Sequence, residues 1–178
     1  MLFNLFKKKH PSRFINKTYG NLNAMKRACL ELAKKEENVL FIAWFSDTAN
    51  DFKRLFLANE LPEDRIIEVR NLHSAKVNLH RPVFLEHFPL YAKEEALVQN
   101  WDARQIDVYN SLDDGLLQHF GGERILTLMK QMGMHEAEPI EHPLISKSIR
   151  RAQENIAEKV TTEQTSSSAR QWMQKNIC

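Results

Sequence analysis

Residues 105–158, QIDVYNSLDDGLLQHFGGERILTLMKQMGMHEAEPIEHPLISKSIRRAQENIAE, set an alternating apolar segment, a glycine break, a helix, a proline-bounded linker and a long amphipathic helix in one run. Ile106 to Leu112 predicts a strand. Leu116 to Phe120 stops at Gly121-Gly122, Glu123 to Gln131 reads as a helix closed by Gly133, and Met134 to Pro143 as a loop or extended linker. Ile145, Ile149, Ala152, Ile156 and Val160 then recur at steps of four, three, four and four. Such a stripe needs an apolar partner, either the body of the protein or another chain.

Upstream, Asn21 to Glu37 carries Leu22, Met25, Cys29, Leu32 and Ala33 at helical spacing. Asn38 to Phe45 is a continuous apolar run, as expected of a strand covered on both faces. Ser46-Asp47-Thr48 reads as the cap of a helix that runs through Phe52, Leu55 and Phe56 until Leu61-Pro62 stops it. Arg65 to Arg70 and Arg81 to Phe88 read as strands, the latter ended by Pro89. Ala92 to Trp101 predicts a short helix with Ala96 and Leu97 inward. Alternation of helices and strands predicts an α/β fold: a small, mainly parallel sheet of about four strands with flanking helices and a C-terminal helical extension. Downstream, Thr161 to Ser168 is polar and reads as a fray or hinge before a last short helix around Trp172.

Of 178 residues, 43% are apolar, ample for a core, and the formal net charge is only +2, which advertises no nucleic-acid partner. Residues 1–20 form a basic N-terminal segment, 21–141 an acidic body, and 142–178 a basic helical tail. Met1 to Phe6 precedes Lys7-Lys8-Lys9, the reverse of an export signal, and no apolar run is long enough to span a bilayer. A cytoplasmic protein is expected. Membrane contact through Phe3 and Phe6 would be peripheral. Cys29 and Cys178 make neither a disulfide framework nor a metal site.

Several tracts carry a resemblance. Tyr109-Asn110-Ser111-Leu112-Asp113-Asp114-Gly115-Leu116-Leu117, Phe120-Gly121-Gly122-Glu123-Arg124-Ile125, Leu128 to Met134, Glu138-Pro139-Ile140-Glu141-His142-Pro143 and Lys147 to Gln153 resemble the SecA preprotein-translocase ATPase family. The resemblance implies the last strand of a second RecA-like (P-loop NTPase-like) motor domain, a crossing linker and the start of a scaffold helix. Collinear, weaker similarity makes Lys17 to Ala33 the family's entry helix and Val39 to Phe45 its first strand. It relates Arg81 to Val98 to a later strand and helix, with Glu86 at the place of a family glutamate.

The chemistry of that family requires a G-x-x-x-x-G-K-[ST] phosphate loop and an arginine tract, G-R-x-G-R. The first is absent, and at the place of the second the chain reads Asn100-Trp101-Asp102-Ala103-Arg104-Gln105. The resemblance therefore implies a truncated, degenerate motor domain: a non-catalytic interaction or regulatory protein linked to protein translocation, with no cofactor. Its expected partner is a translocase component, another protein or a second copy of the chain.

Two alternatives stand beside it. Ser46, Asp47, Thr48 and Arg104 are candidates for a residual phosphate site, a nucleotide half-site completed in trans, although Ser46 to Thr48 also reads as a plain helix cap. Asp47, Asp113 and Asp114 with a metal would make a phosphohydrolase. His73, His80 and His87 recur every seven residues, but their spacing crosses a loop and a strand rather than one helix face, so nothing draws them together around a metal. Phe88, Tyr91, Trp101, Ile145, Ile149 and Ile156 are candidates for an interaction surface left by a lost neighbouring domain, with ordinary core packing as the competing reading.

Overall fold

The computed structural model describes residues 13–120, 127, 131 and 138–177. The basic start through Ser12 and the helix expected at Glu123 to Gln131 fall largely or wholly outside them, as does Cys178.

Five parallel strands form one sheet in the order β1-β5-β4-β2-β3: β1 (Phe14–Tyr19), β2 (Val39–Ala43), β3 (Ile66–Glu68), β4 (Arg81–Phe84) and β5 (Ile106–Ser111). Helices α1 (Leu22–Lys35), α2 (Ser46–Leu57), α3 (Ser74–Asn78) and α4 (Tyr91–Val98) alternate with them. They are followed by α5 (Gly115–Phe120), α6 (Pro143–Ala157) and α7 (Ala169–Asn176). The expected α/β class with a parallel sheet is therefore present, with five strands rather than four.

The additional strand is β1. It lies among residues read as a basic N-terminal segment, and Lys17 to Tyr19, related above to an entry helix, are strand. Phe14, Asn16 and Thr18 point inward while Ile15 and Lys17 are half-exposed, and its whole length pairs with β5. Ile140 bridges the outer edge of β1 through two backbone hydrogen bonds with Thr18, which shields that edge from pairing with another chain.

β2, an interior strand between β4 and β3, is apolar and buried at every residue, as a strand covered on both faces requires. Val39, Phe41 and Ala43 pack under α1 and α2, whereas Leu40 and Ile42 pack against α3 and α4. Two arginines pin helix ends to the sheet. Arg65 donates to the carbonyls of Ala33, Glu36 and Val39, closing the C-terminus of α1, and Arg13 donates to those of Val98, Trp101 and Ala103 beyond α4. Both satisfy carbonyls that a helix leaves unpaired at its end.

A third apolar cluster sits over the C-terminal ends of the strands. Phe45, Phe88 and Leu112, which follow β2, β4 and β5, meet Leu116, Ile145, Ile149, Ile156, Trp172 and Met173 there. The stripe of α6 thus finds its partner within the same chain. His142 caps α6 by accepting from the Leu144 amide, with Pro143 in the first turn, as its place before the apolar stripe suggests. Inside α4 the expected inward pair is replaced: Glu94 and Val98 are buried, Ala96 is exposed and Leu97 is half-buried.

Candidate functional site

Open parallel sheets bind ligands beyond the carboxyl ends of their strands. Here that region is built from the residues after β2 (Trp44, Phe45), after β4 (Leu85 to Leu90) and after β5 (Leu112 to Asp114). Glu86 occupies its centre. Its Oε1 accepts from the Trp44 and Phe45 amides at 3.1 Å each, and its Oε2 from the Thr48 hydroxyl at 2.8 Å. Burial pushes the Glu86 carboxyl up to about 8, the like charge of Asp114 adding to this and the three donors opposing it. Asp114 accepts from the Ser111 amide and hydroxyl at 3.1 Å each; burial still raises it to about 6.

These two carboxyls line a cavity of about 40 Å³ with His87, Asn110, Gly115, Leu116, Leu117 and Ala169. Asn110 is fully buried, donates to Asn16 through Nδ2 and leaves Oδ1 without a partner. Helix α7 roofs the cavity. A Cβ on Gly115 would lie 3.0 Å from Met173 Cε and 3.3 Å from the Arg170 amide nitrogen, so glycine lets α7 approach this closely.

The region is closed by the chain's own C-terminus. The Asp47 amide, in the first turn of α2, donates to the Ser167 carbonyl at 3.0 Å, and the Ser167 hydroxyl donates to Asp47 Oδ2 at 2.8 Å. Trp172 packs edge-on against Phe88 at 5.5 Å and donates from Nε1 to Glu163 at 3.1 Å. Asn176 pairs with the Gln164 backbone in both directions. Residues 161–168, expected to fray, thus hold α7 in place.

Beside the cavity lies a buried polar network. Glu94 Oε1 accepts from His87 Nδ1 at 2.9 Å and from the Phe88 amide at 2.7 Å, and its Oε2 accepts from Gln153 at 2.9 Å. Gln153 also donates to the Phe88 carbonyl at 2.7 Å, and His87 Nε2 contacts Asn16 Oδ1. Both oxygens of Glu94 are engaged, so its charge is compensated where it is buried. These residues tie β1, the loop after β4, α4 and α6 together. Sequence reasoning misses the parts played by Asn16, Glu94 and Gln153. Gln153 is traceable, since it continues the Ile145, Ile149 series at i+4; Asn16 and Glu94 carry no comparable signal.

The residues named from the sequence separate. Phe45 occupies the N-cap position of α2 and, lacking a side-chain acceptor, makes no side-chain cap bond, while its own amide donates to Glu86. Ser46 therefore stands inside the helix, not at its cap. Thr48 serves Glu86, and Asp47 is exposed and bonded to Ser167. Arg104 is exposed before the first residue of β5, at the opposite end of the sheet. A six-residue strand separates it from Asp114, on the order of 20 Å at the rise of a β-strand. Asp113 accepts from the Leu22 amide at 2.7 Å, so Asp47, Asp113 and Asp114 each answer a different donor. His73 is exposed, His80 bonds the Lys76 carbonyl and His87 belongs to the Glu94 network. Among the described residues no three His, Cys, Asp or Glu side chains converge.

Five of the six interaction candidates are interior and the sixth, Tyr91, is half-buried. Phe88 and Trp101 are 7% and 8% exposed, and Ile145, Ile149 and Ile156 are buried in the cluster under α6 and α7. Tyr91 is half-buried beneath the Arg150 guanidinium. Phe88, Ile145, Ile149 and Ile156 form core with α6 and α7, whereas Trp101 packs in the cluster between the sheet and α3 and α4, with Tyr91 at its margin. No described helix is long and apolar enough to cross a membrane.

No family model matches the chain. Curated relatives match a short part of it. Protein translocase subunit SecA from Sorangium cellulosum (strain So ce56) is 47% identical over 51 residues, 29% of this chain and 5% of that protein. The SecA of Christiangramia forsetii is 54% identical over 50 residues, 28% of this chain and 4% of the relative. That of Thermus thermophilus is 39% identical over 51 residues, 29% and 5% of the two chains. The chain thus spans about one twentieth of the length of the relatives it matches. Over about fifty of its residues, within a parallel α/β fold, this chain is SecA-like.

Proposed function

We propose that the chain is a non-catalytic, SecA-related interaction or regulatory protein that works in the context of protein translocation. The SecA-like segment supports the link to translocation. The observation that carries the non-catalytic reading is the filling of the strand-end region by the chain itself.

Phosphate binding at such a place needs free amide donors and compensating positive charge. The Asp47 amide is taken by the Ser167 carbonyl, and the Trp44 and Phe45 amides are taken by Glu86. An incoming nucleotide would meet two buried carboxyls under α7, with Arg104 at the far end of the sheet. No phosphate loop occurs in the sequence to supply the missing donors. A half-site completed in trans would face the same obstruction, and the dispersed roles of Asp47, Asp113 and Asp114 disfavour a phosphohydrolase.

A partner, either a translocase component or a second copy, then meets the outer surface rather than the five buried side chains among the interaction candidates. The test is affinity capture of the tagged full chain from its own cells after mild cross-linking. Recovery of translocase components above an unrelated bait supports the reading. Recovery of none, with a monomer by light scattering at high concentration, overturns it.

A further inference from the structure

Residues 163–177 are tied to one another from end to end. Glu163 accepts from Trp172 Nε1 at 3.1 Å, and the Gln164 backbone exchanges two hydrogen bonds with the Asn176 side chain, at 2.7 and 3.0 Å. The Thr165 carbonyl accepts from Lys175 Nζ at 3.2 Å, and Ser168 caps α7 by accepting from the Gln171 amide. The last turn of α7 therefore cannot fray without releasing the first residues of the segment as well. A helix of eight residues does not persist in water by itself, so detachment from the body melts the whole segment.

Its polar attachments to the body sit at separate points. Asp47 holds Ser167 through both its amide and its carboxylate, Lys93 pairs with Glu163 at 2.5 Å, and Arg170 donates to Gln118 at 3.3 Å. Between these points Trp172 and Met173 press into the apolar cluster over the strand ends. Thr161 and Thr162, which join the segment to the closing turn of α6 at Val160, are both exposed. Gly115 is the place of closest approach. A Cβ there would meet the Arg170 backbone at 3.3 and 3.4 Å as well as Met173 Cε, and backbone yields less readily than a side-chain tip. Any side chain at this position is a wedge under α7.

We propose that residues 163–177 form a hinged lid that opens as one cooperative unit about Thr161-Thr162, with Asp47 and Lys93 as its catches and Gly115 as its seat. Opening uncovers Phe88, Leu112 and Leu116 together with the cavity lined by Glu86 and Asp114, while the sheet stays folded. Moving elements are drawn from the low-stability end of a structure, and a segment held by a few separate catches belongs there. The inference does not rest on the non-catalytic reading, since it concerns the cover and not what lies beneath it.

The test is native-state hydrogen exchange of the full chain in low urea, followed residue by residue by NMR. The Gln164, Trp172 and Ile177 amides are each bonded inside the lid. They should share one protection factor, at least about tenfold below the amides of β2 and β5. Gly115→Ala should lower all three together by about fivefold or more, a loss on the scale of a hydrogen bond. Amides of β2 and β5 should keep their protection in that variant, because alanine suits the first residue of α5 better than glycine does. Asp47→Ala removes the acceptor of the Ser167 hydroxyl and should act in the same direction by about threefold. Protection that falls step by step from Gln164 to Ile177 marks ordinary fraying of a terminus and overturns the proposal. So does lid protection equal to that of β2, or lid exchange unchanged in both variants. If Gly115→Ala fails to fold, Asp47→Ala decides alone, since Asp47 is exposed.

Discussion

Replacing Trp172 by alanine should loosen the cover over the strand ends. The indole is 1% exposed and sits edge-on to Phe88, which itself stacks on Phe45 at 5.6 Å. Truncation of a tryptophan so placed removes about 3–5 kcal/mol, mostly transfer and cavity terms. The bond to Glu163 adds little, because that carboxylate keeps Lys93 at 2.5 Å and remains partly exposed. For a chain of this size each kcal/mol shifts the melting temperature by about 2–4 °C, so a fall on the order of 10 °C is expected. Because α7 is eight residues long and near the C-terminus, it can instead undock alone, and the global loss is then smaller. Hydrogen exchange distinguishes the two regimes: undocking releases protection in residues 164–177 while β2 and β5 keep theirs. An unchanged melting temperature together with unchanged exchange of residues 164–177 would refute the reasoning that Trp172 anchors the cover.

Glu86→Gln should flatten the pH dependence of stability. The Glu86 carboxyl is raised by burial, with Asp114 facing it from α5, Thr48 from α2 and His87 adjacent. A folded state that binds the proton more tightly than the unfolded chain is favoured below the unfolded pKa and loses that advantage as pH rises through the folded value. Urea midpoints of wild type should therefore fall between about pH 5 and 8, and those of the variant less so; parallel curves would contradict this. Glu94→Ala leaves His87, the Phe88 amide and Gln153 without their acceptor and should cost about 3–5 kcal/mol in urea denaturation. A loss below about 1 kcal/mol would show that the network contributes as little as a surface pair. Arg104→Ala, at an exposed position before β5, should alter stability by no more than about 0.5 kcal/mol by the same measurement.

How much was legible depended on how local each determinant is. Val39 to Ala43 announces a doubly covered strand because both faces are apolar within five residues. The α6 stripe fixes a helix and its inward face just as locally. β1 escaped because its inward positions after Phe14 are Asn16 and Thr18, and what makes Asn16 an interior residue is His87, distant in the chain. Ser46 has the propensity of a cap, yet the Ala49 amide bonds the Phe45 carbonyl and Glu86 fixes the Phe45 amide, so the helix starts one residue earlier. Polar composition at 161–168 predicts fraying, whereas Ser167 is held by Asp47 and Gln164 by Asn176. The six interaction candidates show the limit most clearly. Their apolar character was readable, but whether they face a partner or the interior was decided by tertiary packing: the return of α6 and α7 for Phe88, Ile145, Ile149 and Ile156, and the stacking of Phe84 for Trp101.

The central claim is that the chain fills its own strand-end region and binds no nucleotide there. Calorimetric titration of ATP, and separately of ADP, into the full chain already equilibrated with excess Mg²⁺ tests this most directly. The account predicts no saturable heat at millimolar nucleotide. Saturable binding of either nucleotide, lost in Thr48→Ala or strengthened when residues 161–177 are released by Trp172→Ala, would contradict it.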